Sequence, residues 1–173
     1  MSFEIKVPND WKKIAENKYE ILGISDTEDI KCLGAYVVGG ENDGNIISFM
    51  NYIDFNVDFL NELDKRLVDI NETNALIDGD PSDKDYEDTS LLSNVFHGFT
   101  DKYGGNLYIN INKIPVAEKV YAYTFQIFVE VNNGLVCAQA TLRDLDEQNA
   151  LKSAIEKTYV KDAVKLLFKL KEQ

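Results

Sequence analysis

The chain has 173 residues, 45% of them hydrophobic, enough to bury a core that needs no metal or disulfide support, so a single domain over residues 1–173 is expected. Asp and Glu total 30 against 18 Lys and Arg, a formal net charge of -12. Such a field repels phosphate backbones and anionic membranes, which argues against nucleic acid and lipid surfaces; solubility is the plain reading of the acidity, and attraction to a basic protein partner the sharper one.

The opening residues Met1 to Lys6 lack the basic start and apolar run of an export signal, and no stretch approaches the roughly 18 apolar residues of a membrane span. A cytoplasmic location is the expectation. Cys32 and Cys137 lie in strand-like runs far apart in sequence, without CxxC spacing, and are expected to be free thiols in a reducing compartment.

In chain order, Phe3, Ile5 and Val7 alternate with Glu4 and Lys6, the period of a strand with one buried face. Pro8 has no amide hydrogen for a ladder and should end that strand. Asn9 to Asn17 forms either one helical turn or a wide loop that tucks Trp11, the only tryptophan, beneath a sheet. Strands are expected over 18–25 and 30–39. The turn residues Gly39-Gly40-Glu41-Asn42-Asp43-Gly44 then lead into a further strand, Asn45 to Ile53.

The period next becomes helical. Leu60, Leu63, Leu67 and Ile70 fall at offsets of three, seven and ten, which predicts a helix near 57 to 72 capped by Asn56. Residues 74–105 are the least regular part of the chain, and 89–99 read equally as a short helix or an irregular strand. Beyond them, Leu107, Ile109 and Ile111 mark a strand. A long strand follows from Val116 to Val131, with Tyr121, Tyr123, Phe125, Ile127, Val129 and Val131 on one face. Asn132-Asn133-Gly134 is a tight-turn signal, and 135–142 should pair back antiparallel. Asp144 and Glu147 have capping-box spacing ahead of a terminal helix over 147–171, with an apolar face through Leu151, Ile155, Tyr159, Ala163, Leu166, Leu167 and Leu170 and a kink near Thr158.

Few residues suggest chemistry. His97 is the only histidine and sits among apolar neighbours, which fits packing or surface duty better than general-base catalysis. Asp78, Asp80, Asp83, Asp85, Glu87 and Asp88 surround one lysine in a segment that must be solvated or bound to something. Asp78, Asp80 and Ser82 match the opening of an EF-hand loop, but Asp83 stands at its glycine position and Thr89 at its closing glutamate, so the geometry fails where calcium demands most. Neither Gly39-Gly40 nor Gly104-Gly105 lies in a phosphate-binding frame. No cofactor or metal is expected.

The order of strand, Pro8 to Trp11, strands, helix, irregular segment, strands, hairpin and terminal helix resembles the PsbP-like fold. That fold is shared by extrinsic photosystem subunits and the Ran guanine-nucleotide release factor. Phe3 to Trp11, Ile114 to Tyr121, the hairpin around Gly134 and the last helix carry the resemblance. It implies a binding or accessory role rather than catalysis.

The expected fold is therefore α+β, an antiparallel sheet of about six or seven strands covered by helices near 57 to 72 and 147 to 171. The expected function is non-enzymatic binding, of the kind an immunity-type inhibitor performs on a basic partner, with Asp78 to Asp88 as its contact residues. The alternative is a small-molecule-binding protein or small enzyme with a cleft near His97.

Overall fold

The computed structural model describes residues 3–19, 26–40, 44–56, 58, 67–69, 93–100, 104–117, 120–143, 154 and 157–173. Its strands are β1 (Lys12–Lys13), β2 (Ile30–Val38), β3 (Asn45–Ile53), β4 (Leu67–Asp69), β5 (Ser93–Thr100), β6 (Gly105–Ala117), β7 (Val120–Val131) and β8 (Gly134–Leu142). One long α-helix, α1 (Thr158–Lys171), closes the chain. The eight strands form one sheet in the order β1-β2-β3-β8-β7-β6-β5-β4. Six long antiparallel strands make its body, with short β1 and β4 at the edges, so the protein is α+β as the alternating segments predict.

The two hairpins read in the sequence meet in the middle of this sheet, where β3 pairs with β8 from Ile46↔Thr141 to Ile53↔Gly134. Side chains of alternate residues point to opposite faces, so one register sorts every strand at once. The first face carries Ile47, Phe49, Ile127, Val129, Val136, Ala138 and Leu142, all buried. Against it α1 lays Val160, Ala163, Val164, Leu167 and Leu170, the i, i+3, i+4, i+7 stripe of an amphipathic helix. At the expected kink Lys157 is extended at φ -73° and ψ 128°, and α1 starts at Thr158; of the expected helix before it Ala154 is helical, while 144–153, with the Asp144 and Glu147 capping box, and 155–156 lie outside the described residues. Asn45, fully buried, ties this end together. Its side-chain amide donates to the Tyr159 hydroxyl (3.2 Å), and its Oδ1 accepts from the Arg143 backbone N–H (3.1 Å).

Trp11 occupies the expected place. A turn closed by its backbone N–H donating to the Pro8 carbonyl (3.1 Å) delivers the ring, 7% exposed, onto the first face. There it stacks on Phe49 (6.2 Å between centroids, 18°) and tilts against Tyr36 (5.9 Å). Gly34, at φ 154° beside a bulge in β2, makes room for this triad. A Cβ there would lie 2.7 Å from the Tyr36 hydroxyl, so the ring can fold back over the strand only because the side chain is missing.

Several expectations are corrected. Residues 3–7 keep the alternating burial of an amphipathic strand but pair with no strand. In place of a ladder, the Gln173 side chain acts as a backbone surrogate, accepting from the Glu4 N–H (3.1 Å) and donating to the Glu4 carbonyl (2.9 Å). Lys18, read as strand, belongs to a 3-10 turn over Glu16–Lys18, while 20–25 lie outside the described residues. Of the helix expected near 57 to 72, Asp58 is helical and its N–H donates to Asn56 Oδ1 (2.9 Å), the expected capping contact, while 57, 59–66 and 70–72 lie outside the described residues. A helix through to 72 is ruled out, because Leu67–Asp69 form β4, paired in parallel with Val95 to His97. A helical spacing of leucines extends through that triplet, and a long-range partner overrides it. The ambiguity over 89–99 resolves as strand from Ser93 onward. Val116 and Ala117 end β6 instead of opening the next strand.

Candidate functional site

A cleft with a volume of about 240 Å³ lies at one end of the sheet. Four separated parts of the chain build it: the end of β3, the β7–β8 turn, the last turn of α1 and the segment at Phe3. Its polar wall is Asn51, Asp54, Asn132, Asn133, Lys171 and Gln173. The apolar wall is Phe3, Ile53, Val131 and Leu170.

Backbone geometry holds this wall firmly. Asp54 is the only non-glycine among the described residues with a positive φ, 60°, and its N–H donates to the Asn133 carbonyl (2.8 Å). Aspartate tolerates this left-handed region because its short polar side chain satisfies itself locally, yet the conformation is uncommon and collects at functional positions. Gly134, at φ 152°, brings the β8 backbone so close to β3 that a Cβ would meet the Tyr52 carbonyl oxygen. The β3 end and the Asn132-Asn133 turn are thereby fixed to each other, with Asp54 between them.

The second face of the sheet is unlike the first. One row across it is apolar: Met50, Cys137 and Phe128, with Tyr108 at its outer end. Tyr52 meets Phe128 edge-on (5.4 Å, 68°) and Phe55 likewise (5.4 Å, 83°). The adjacent row is a ladder of uncharged polar groups. Asn110 Nδ2 donates to Gln126 Oε1 (2.9 Å), and Gln126 Nε2 donates to Gln139 Oε1 (3.2 Å). Ser48, 2% exposed, donates to the Gln139 carbonyl (3.4 Å). Because each amide donates in the same direction, Asn110 Oδ1 at the β6 end is left as a buried acceptor without a donor.

Burial dominates the acidities on this face. Loss of solvation, assisted by the Glu130 carboxylate that accepts its hydroxyl (3.3 Å), pushes the Tyr108 phenol up to about 12. Burial also raises Tyr52 and Cys137 well above their ordinary values, and raises the half-buried Cys32. Both cysteines are free. Cys32 faces Met50 and Met50 faces Cys137, so two strand spacings, about 9.6 Å, separate the cysteine backbones, beyond the ~7 Å reach of a disulfide.

The residues singled out from sequence are distributed differently. By register His97 stands opposite Tyr108 on β6 and beside Asp69 on β4, in the same cross-strand row. Asp78, Asp80, Asp83, Asp85, Glu87 and Asp88 lie outside the described residues, in the connection from β4 to β5. Four successive antiparallel pairings make β5 run the same way as β3, and β4 is parallel to β5. β3, β4 and β5 therefore all run in one direction.

That part of the chain also carries the charge. Residues 41–101 hold fifteen Asp and Glu against three Lys and Arg, a net of -12, and the rest of the molecule holds fifteen of each. Among the described residues no group of three or more His, Cys, Asp and Glu is arranged to hold a metal ion. No helix among them is long and apolar enough to cross a membrane. Neither the cleft nor the polar ladder was legible in the sequence, since every residue in them reads singly as turn or solvated strand face. Searches of family models, curated proteins and solved structures found no match to this chain.

Proposed function

We propose that this chain is a non-enzymatic, cytoplasmic binding protein that captures a basic protein, in the manner of an immunity-type inhibitor. The observation that carries the reading is the segregation of charge: the whole formal charge of -12 sits in residues 41–101, and the remainder is balanced. A field concentrated in one stretch of chain orients an incoming cationic surface as well as attracting it. Asp78, Asp80, Asp83, Asp85, Glu87 and Asp88 are the densest part of that stretch and the contact residues of the proposal. Kinship with PsbP-like proteins belongs to the same reading and rests on the order of elements.

The test uses the intact protein immobilised in native lysate at low and high salt, followed by kinetics on the protein retained. Converting Asp80, Asp83, Asp85 and Glu87 to their amides should leave stability nearly unchanged, since exposed charges contribute little to it. Association with a basic partner should slow and its salt dependence flatten, while dissociation changes less. Retention of a partner whose association rate ignores both salt and these four changes would overturn the reading.

A further inference from the structure

We propose that residues 3–7 are a docking strand for a second copy of this chain, paired antiparallel about a two-fold axis at Ile5. The acidic stretch takes no part in it. Phe3, Ile5 and Val7 are half-buried against the core, while Glu4 and Lys6 are exposed, the alternation of an extended chain with one face down. In such a chain the N–H and C=O of one residue share an edge, and those of the next residue take the opposite edge. Gln173 meets both groups of Glu4 and so occupies the edge that Glu4 shares with Lys6. The other edge presents the backbone of Phe3, Ile5 and Val7, and among the described residues no hydrogen bond reaches it. An unpaired edge of strand-patterned backbone is a template for another strand.

Charge complementarity selects the same strand as its partner. Phe3-Glu4-Ile5-Lys6-Val7, laid antiparallel on itself, sets Phe3 opposite Val7, Ile5 opposite Ile5 and Glu4 opposite Lys6 of the second copy. The free edge makes the three apolar pairs the hydrogen-bonded ones. Glu4 and Lys6 then fall at the non-hydrogen-bonded positions, where side chains across an antiparallel pair lie closest. Slipping the register by two residues either way sets Lys6 against Lys6 or Glu4 against Glu4, so the charges fix the alignment. Pro8, without an N–H, ends the pairing. The contact is isologous and uses the only open edge of the segment, so it closes at two copies and does not propagate.

The test is sedimentation equilibrium of the full chain at about 0.15 M salt, where screening beyond roughly 8 Å mutes the net charge of -12 and spares pairs in contact. A monomer–dimer equilibrium is expected. Glu4→Lys and Lys6→Glu each set like charges across both pairs and should weaken dimerisation at least about fivefold. Combining the two substitutions in one chain should restore it, and an equimolar mixture of the two single variants should form the mixed dimer. Both side chains are exposed, so each variant should keep the fold. Amide exchange gives a second readout: raising the protein concentration should protect the N–H groups of Ile5 and Val7 and leave that of Lys6, on the opposite edge, exchanging as before. A protein that stays monomeric up to about 1 mM would overturn the proposal. So would a dimer that tolerates both single variants, a dimer that the combined variant does not restore, or protection shared equally by Ile5 and Lys6.

Discussion

Removing the Trp11 ring tests whether the amino-terminal turn anchors the sheet or decorates it. The indole is 7% exposed and touches two aromatic partners, Phe49 and Tyr36, at 6.2 and 5.9 Å between centroids. Burying a ring of this size removes on the order of 150–250 Å² from water, about 4–6 kcal/mol at 25 cal/mol per Å². Alanine keeps the Cβ and the walls relax partly, so Trp11→Ala is expected to cost about 3–5 kcal/mol. For a chain of this length that corresponds to a fall in Tm of roughly 8–16 °C. Urea unfolding followed by far-ultraviolet circular dichroism is the assay, because the substitution deletes the only tryptophan fluorophore. The denaturant slope should stay the same, since the sheet exposes similar surface on unfolding. A cycle with Phe49→Leu should return a coupling of about 0.5–1.5 kcal/mol from the stacked pair. A loss below about 1 kcal/mol for Trp11→Ala, or no coupling, would show that the ring is not part of the core.

Two further outcomes concern the second face. Gln126→Leu strands Asn110 Nδ2 and Gln139 Oε1 together and should cost about 2 kcal/mol or more, whereas Asn110→Leu also removes an acceptor that already lacks a donor and should cost under about 1 kcal/mol. Equal costs in urea titration would contradict the one-way ladder. In alkali, Tyr108 titrates near 12 when folded against about 10 when unfolded, so the unfolded chain loses its proton first. The part of stability that Tyr108 contributes should therefore be level below pH 10 and be lost between 10 and 12, on top of a decline that the buried thiols begin near pH 9, and Tyr108→Phe should make the slope above pH 10 shallower. An unchanged slope in the variant would refute the assignment.

Alternation and turn chemistry were sufficient to place β2, β3, β8, β7 from Val120 onward and the terminal helix from Thr158 onward, because each is specified by its own residues: Phe125, Ile127 and Val129 repeat every second position, and Asn132-Asn133 favours a turn. Trp11 was legible for the same reason, since the turn that carries it is closed on the Pro8 carbonyl just before it. What lay beyond the sequence depended on partners far along the chain. Leu67 to Asp69 is a strand because Val95 to His97 is beside it, and its own leucine spacing says helix. Phe3 to Val7 has the pattern of a strand, yet its backbone is met by the side chain of Gln173, 169 positions away from Glu4. Ser48, Gln126 and Asn110 look like solvated positions until β3, β8, β7 and β6 are aligned in register and their side chains fall into one row, with Ser48 and Asn110 buried and Gln126 half-buried between its partners. The cleft is the extreme case, as no two of its four wall segments are neighbours in sequence. Local sequence determines which segments can be strand, turn or helix, while long-range pairing decides which faces meet, and here the candidate sites exist only where those faces and ends come together.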